Sequence, residues 1–385
     1  MSRTRRVGVC IDLNWPVVHH LAVYSGIRRF ASQQGRWELG VNPFFGSDRQ
    51  RSDRRPDGVV GRMTVRGARR ARRWGIPAVN VWFNSPVRGL PGVFPDMESA
   101  GRTAAEHLLA RGFHRFGFLG YHRNRATSGL LAGMRDRLAD GGDDCSVRRV
   151  RRQFARSRGT WDAFIENLYG WVAEFAPPVG ILGAHDLLCR YLMNVCTERG
   201  LEIPYDVGMV GTFNEPLICE ALEPTLTSID LAYERVGYLA AEMLDGLMAG
   251  RPAPAEPLRV EPAGLVPRRS SDAFAVGDPL VAGALRFMAD HVHERIGVEE
   301  VARHMETTRT TLGGRFRRAL GRTVRDELAR LRVERAKRLL RESDDNLHTV
   351  ATACGFRDDS RMSKTFMRLE GMRPGAFRQQ HRETG

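Results

Sequence analysis

The chain has 385 residues, of which 42% are hydrophobic and 27% charged, a globular composition that excludes an intrinsically disordered protein and calls for more than one domain. Its formal net charge is +14, carried almost wholly by arginine because Lys337 and Lys364 are the only lysines, so a polyanionic partner is the first expectation. No run of 18 apolar residues exists to span a bilayer, and "MSRTRRVGVCIDLNW" lacks the apolar segment of a signal peptide; the expectation is a cytoplasmic protein with no membrane partner.

From residue 7 to about residue 265, short apolar runs alternate with amphipathic stretches. "RVGVCIDL" reads as a strand and "HHLAVYSGIRRFASQQG" as a helix stopped by Gly35. Strands follow at "WELGVNPF" and "PDGVVGRM", a helix at "GARRARRWG" and a strand at "PAVNVWF". "ESAGRTAAEHLLARG" is a helix and "RFGFLGY" a buried strand. The same rhythm returns in "VGILGA", "DLLCRYLMNVCTERG", "VGMVGTF" and "DLAYERVGYLAAEMLDGLMAG". Such alternation implies parallel strand–helix–strand units, hence an α/β sandwich, and the break near residues 118–121 divides it into two similar lobes.

From Arg251 the texture changes. "RPAPAEPLRVEPAGLVPRRSSD" is proline-rich and aperiodic, a last strand or two followed by a linker. Beyond Asp278 only helical periods remain. The boundaries read from this are a domain over 1–268, a linker over 269–279, and an all-α domain over 280–385.

The all-α segment contains a repeat. Val301-Ala302 corresponds to Val350-Ala351; after one inserted residue Leu312 corresponds to Met362, Phe316 to Phe366 and Gly321 to Gly371. Each copy is a short helix, a tight turn and a second helix with apolar residues four apart. That is the helix-turn-helix plan, predicted here over 298–319 and 347–370. "DELARLRVERAKRLLRES" between them reads as a long connecting helix. In the second copy Gly355 supplies the turn, Phe356 packs the corner, and Met362 and Phe366 face inward.

These residues resemble the AraC/XylS-type DNA-binding domain. The resemblance covers residues 278–383, including the Gly-Phe turn and the Gly-x-x-Pro-x-x-Phe-Arg end at Gly371, Pro374, Phe377 and Arg378. It implies double-stranded DNA as partner, with Asp359, Ser360 and Lys364 facing bases and Arg361 and Ser363 beside them. The first copy departs from the pattern: Glu306 stands at the turn glycine, and Gly313 and Gly314 replace polar, base-reading residues. Arg309, Thr310, Thr311 and Arg315 are left there to hold phosphates, so the second copy is expected to carry more of the specificity.

The α/β region resembles the periplasmic-binding-protein-like effector domain of LacI-type regulators, through "DGVVGRM", "IPAVNVWFNSP", "PDMESAGRTAAEHLLARGFHRFGFLGY" and "VGMVGTFNEP" in that order. Together the resemblances imply a two-lobed sensor followed by two helix-turn-helix units. The implied function is regulation of a carbohydrate, xylose-type, catabolic operon, as activator or repressor, by a homodimer that works with RNA polymerase. The implied effector is a monosaccharide in the crevice at the strand ends. Candidates at those ends are Asp12, Asn14, Trp15, Arg62, Asp96, Asp186, Phe213 and Asn214. Phe213 replaces an aspartate that would bond sugar hydroxyls, and Leu130 replaces an arginine; a more apolar effector, or a sensor without one, stays open.

An enzyme is not expected. No GxxxxGK[ST], HExxH or Ser/His/Asp arrangement occurs. His19-His20 at a helix start reads as a pocket or capping pair. The six cysteines (Cys10, Cys145, Cys189, Cys196, Cys219, Cys354) are scattered without metal-ligand spacing and read as small buried side chains. No cofactor is implied.

Overall fold

Apolar runs bounded by turn residues build the sheets, because strands buried on both faces have no use for alternation. Val179–Gly183 and Val207–Thr212 are buried at every position. The computed structural model describes residues 4–13, 18–45, 55–221, 223–272 and 278–382. The chain divides into two compact units, Met1–Asp272 and Ala273–Gly385.

The first unit has two lobes. A four-stranded parallel sheet, ordered Trp37–Val41, Arg5–Cys10, Gly58–Gly61, Ala78–Asn80, forms one. The other is a six-stranded sheet ordered Gly264–Val266, Thr227–Asp230, Val207–Thr212, Val179–Gly183, Phe116–Tyr121, Cys145–Val150, parallel except at its first edge. The chain passes between the lobes near residues 95–97, 230–233 and 260–264. Val93–Pro95 pairs in parallel with Leu258–Val260 there, and the Asp96 N–H donates to the Val260 carbonyl at 2.8 Å.

Each lobe is braced by a helix pair in backbone contact. Helix Val18–Gln34 lies on helix Tyr233–Met248 through Gly26 and Gly237; helix Met97–Leu109 lies on helix Arg125–Ala139 through Gly101 and Gly133. A Cβ at any of these glycines would come within about 2 Å of a carbonyl oxygen on the facing helix. The six cysteines are buried and form no disulfide among the described residues.

The predicted linker starts too early. Arg269–Ser271 is a 3₁₀ turn packed into the first unit: Ser270 and Ser271 are fully buried, Ser270 Oγ donates to the Met209 carbonyl at 2.6 Å, and Thr227 N–H donates to Ser270 Oγ at 2.9 Å. Two serines and two arginines give no apolar signal, yet their hydroxyls satisfy the end of a buried strand.

The second unit is helical throughout its described residues. Helices Val298–His304 and Arg309–Leu320 form the first helix-turn-helix unit, Leu347–Ala353 and Asp359–Glu370 the second, and Val324–Glu342 connects them. The burial pattern of Thr311–Leu320 repeats residue for residue in Arg361–Glu370, with Leu312, Phe316, Met362 and Phe366 fully buried. Both turns use a left-handed residue, Glu306 at φ 48° and Gly355 at φ 70°.

The two turns differ in what surrounds them. A Cβ at Gly355 would meet the carbonyls of Glu294 and Val292 at 2.4 and 2.6 Å, whereas Glu306 is exposed and keeps its side chain. Left-handed backbone costs an L-residue about 1 kcal/mol. Glu306→Gly is therefore expected to raise the thermal midpoint, and Gly355→Ala to lower it by more; circular-dichroism melts of the two variants check this.

Candidate effector cleft and nucleic-acid interface

A cavity of about 360 Å³ lies between the two lobes of the first unit, where the ends of the central strands face each other. Its most ordered wall is a group of rings. Phe213 sits 4.8 Å from His185, 5.3 Å from His19 and 5.8 Å from Tyr233, nearly parallel to the last. His19 in turn stacks on Tyr233 at 4.8 Å and meets the edge of His20 at 4.9 Å. Aromatic faces of this kind suit the C–H faces of a small polyol.

His20 Nδ1 is 3.0 Å from the Asp12 carbonyl, an acceptor, so the proton is on Nδ1; its Nε2 faces the Arg62 guanidinium at 3.5 Å. Arg62 also covers the Trp82 ring at 4.5 Å, a cation–π contact. Burial, followed by the charges of His20, His185, Arg62 and Arg152, lowers His19 to about 3. Burial and then Arg152 lower His185 to about 4. Both imidazoles are neutral at neutral pH. His19 Nδ1 is buried and finds no hydrogen-bond partner among the described residues.

Arg62, Phe213 and Leu130 line this cavity. The other expectations need correction. Asp186 is fully buried beneath the wall; it accepts from Ser228 Oγ at 2.5 Å and from the Glu215 N–H at 2.9 Å. Ser228 Oγ accepts the Asn214 N–H at 3.0 Å. This chain of bonds fixes the left-handed pair Phe213 (φ 103°) and Asn214 (φ 52°), so Asp186 positions Phe213 instead of meeting a ligand. Asn214 itself is outside the lining. Asp96 caps helix Met97–Leu109, accepting from the N–H groups of Glu98 and Ser99 at 3.0 and 2.9 Å. Asp12 contributes its carbonyl to His20, not its side chain to the lining. Asn14 and Trp15 lie outside the described residues.

The sequence reading missed Tyr121, His185, Tyr233 and Arg152, all of which line the cavity. Tyr121 closes "RFGFLGY" and His185 directly follows "VGILGA". The strand-end rule therefore held a signal for both, and for His185 it lay one position from where the rule was applied.

In the second unit, Asp359, Ser360, Arg361 and Lys364 are exposed and Ser363 half-exposed on the outer face of helix Asp359–Glu370. Their side chains make no hydrogen bond or ion pair among the described residues. Asp358 caps the helix by accepting the Arg361 N–H at 2.7 Å, which leaves that face to its side chains. The first unit differs. Arg315 is committed to Asp278 by two bonds of 2.6 and 2.7 Å, tying it to the cap of helix Pro279–Asp290, and so is no free phosphate ligand. Arg309 pairs with Glu299 at 2.5 Å, although both remain exposed. Thr311 joins the cap through Thr308, and Thr310 is exposed. Gly313 and Gly314 have open space around them, so the middle of that outer face is bare backbone.

Residues 105–271 match the periplasmic binding protein-like domain family, and residues 301–380 match a helix-turn-helix domain family. The chain joins a periplasmic-binding-protein-like domain to a helix-turn-helix domain. The xylose operon regulatory protein of Haemophilus influenzae is 28% identical over 213 residues, 55% of each chain; that of Escherichia coli K12 is 26% identical over 196 residues, 51% of this chain and 50% of its own. The chain thus spans about half the length of these curated relatives. A solved xylose-binding transcription activator is among the structures that this chain resembles. That structure matches 97% of this chain and 98% of its own with a TM-score of 0.71 at 20% identity, which establishes a shared fold. Among the described residues no helix is long and apolar enough to cross a membrane.

Proposed function

We propose that the protein is a cytoplasmic, sequence-specific DNA-binding transcription regulator of a carbohydrate, xylose-type, catabolic operon. In this reading the first unit, residues 1–272, senses a small sugar-like effector in its cleft, and the second unit binds operator DNA. The protein acts as a homodimer in concert with RNA polymerase. The observation that carries the reading is the uncommitted outer face of helix Asp359–Glu370, whose hydroxyls, carboxylate and cations match base edges and phosphates in a major groove. Its relatives are transcription regulators, not enzymes.

Selection of bound genomic fragments by the full chain, followed by anisotropy titrations, tests it. Arg361→Ala and Lys364→Ala are expected to weaken binding to every duplex and to reduce the slope of log K against log salt by about one unit per lost phosphate contact. Ser360→Ala is expected to narrow the gap between operator and scrambled DNA without changing that slope. Unaltered titrations for all three would place the recognition surface elsewhere.

Phe213 and Leu130 on the cavity wall favour a second reading, a regulator whose sensor no longer takes sugar and works constitutively or through protein partners. Calorimetry of the full chain with pentoses and their derivatives separates the two.

A further inference from the structure

The balance of hydrogen-bonding groups in the cleft is the reverse of what a neutral sugar requires. A sugar's hydroxyl protons need carboxylate or amide oxygens to accept them. Here Asp186 is spent on Ser228 and Glu215, Asn84 Oδ1 accepts the Arg125 N–H at 2.8 Å, and Asn124 Oδ1 accepts the Thr127 N–H at 3.0 Å. Glu215 is the carboxylate left on the wall, and burial pushes it toward its neutral form. The two guanidinia donate only, while the neutral imidazoles and the tyrosine hydroxyls can donate or accept.

The guanidinia come from opposite lobes. Arg62 follows strand Gly58–Gly61 and Arg152 follows edge strand Cys145–Val150. The charge of Asp12 bears on Arg62, as does that of Arg152. Arg152 makes no hydrogen bond or ion pair among the described residues, and its charge acts on His19, His185 and Tyr121 around the cavity. Beside them lies the unpartnered Nδ1 of His19.

Taking the cleft as the effector site, we propose that its effector is a small polyhydroxy compound bearing an oxyanion, carboxylate or phosphate, held between Arg62 and Arg152. The rings of His19, Phe213 and Tyr233 face its carbon skeleton. By themselves the two cations repel across the lobes. An oxyanion between them turns that repulsion into two charge-assisted contacts, so binding favours approach of the lobes.

The test is calorimetry and thermal shift on the full chain at two ionic strengths, with D-gluconate and D-xylonate as the carboxylate arm, D-glucose 6-phosphate as the phosphate arm, and D-glucose and D-xylose as neutral counterparts. Arg152 is exposed, so Arg152→Gln should keep the wild-type melt. At least one anion is expected to bind, less tightly in high salt and at least tenfold more weakly to Arg152→Gln; the arm that binds identifies the anion. A neutral sugar binding wild type and Arg152→Gln equally, or an anion whose affinity ignores the substitution, overturns the proposal and leaves the effector-site reading standing. No binding by any of the five compounds overturns both.

Discussion

Gly133→Val is expected to deprive the first unit of a stable second lobe, with a loss of about 3 kcal/mol or more. A Cβ at Gly133 would lie 1.8 Å from the Glu98 carbonyl oxygen, and one at Gly101 would lie 2.1 Å from that of Leu130. Overpacked side chains usually relax at a cost of about 1–3 kcal/mol. Here the obstacle is backbone on a facing helix, so relief requires the helices to part along their length. That separation would expose Ala100, Ala104 and Met134, all fully buried. Gly159→Ala is the matched control: it is also helical, but a Cβ there meets nothing within 4 Å, and alanine should stabilise the helix by up to about 1 kcal/mol. Denaturant titrations of the two variants should move in opposite directions.

Asp186→Ala carries the next largest effect. It removes the acceptor of two buried bonds and leaves the Glu215 N–H unsatisfied, a loss of about 3 kcal/mol at roughly 1 kcal/mol per bond plus about 1–3 kcal/mol for the unpaired donor. It also releases Phe213 and Asn214 from their left-handed conformations, so the ring wall should loosen and effector binding should weaken with it. The pH dependence has a defined sign. Burial raises Asp186 from 3.8 to about 7, so the folded protein holds this proton more tightly than the unfolded chain. Its contribution is therefore greatest below pH 3.8 and declines as pH rises toward 7. Asp186→Asn should remove that decline from a plot of thermal midpoint against pH, whatever its effect on absolute stability.

Residues buried on both faces announced themselves in the sequence, and those at edges did not. "VGILGA" and "VGMVGTF" gave central strands because every position is apolar or glycine or small. Strand Cys145–Val150 sits at the edge of its sheet with Arg148 and Arg149 half-buried or exposed, so it offered no apolar run, and Arg152 just beyond it went unseen. Successive side chains of an extended segment point to opposite sides. Reading the end of a strand one residue late therefore selected Asp186, which turns into the wall, in place of His185, which faces the cleft. Asp96 illustrates a different limit: an aspartate before a helix serves as cap and as crevice candidate by the same sequence signal.

The helix-turn-helix unit was more legible because its repeat fixed the register of both copies. Leu312, Phe316, Met362 and Phe366 all turned out to be core. What local pattern could not show was the fate of Arg315, whose partner Asp278 lies 37 residues earlier and is held near by tertiary packing alone.

The unequal faces of the two recognition helices, identical in shape but not in chemistry, give the proposed complex a direction. In that proposed complex, one end of each half-site would lie under residues 359–364 and be read base by base. The other would lie under Gly313 and Gly314, where bare backbone grips without reading and substitutions in the DNA should pass unnoticed. Reversing a half-site would consequently turn the bound helical unit end for end.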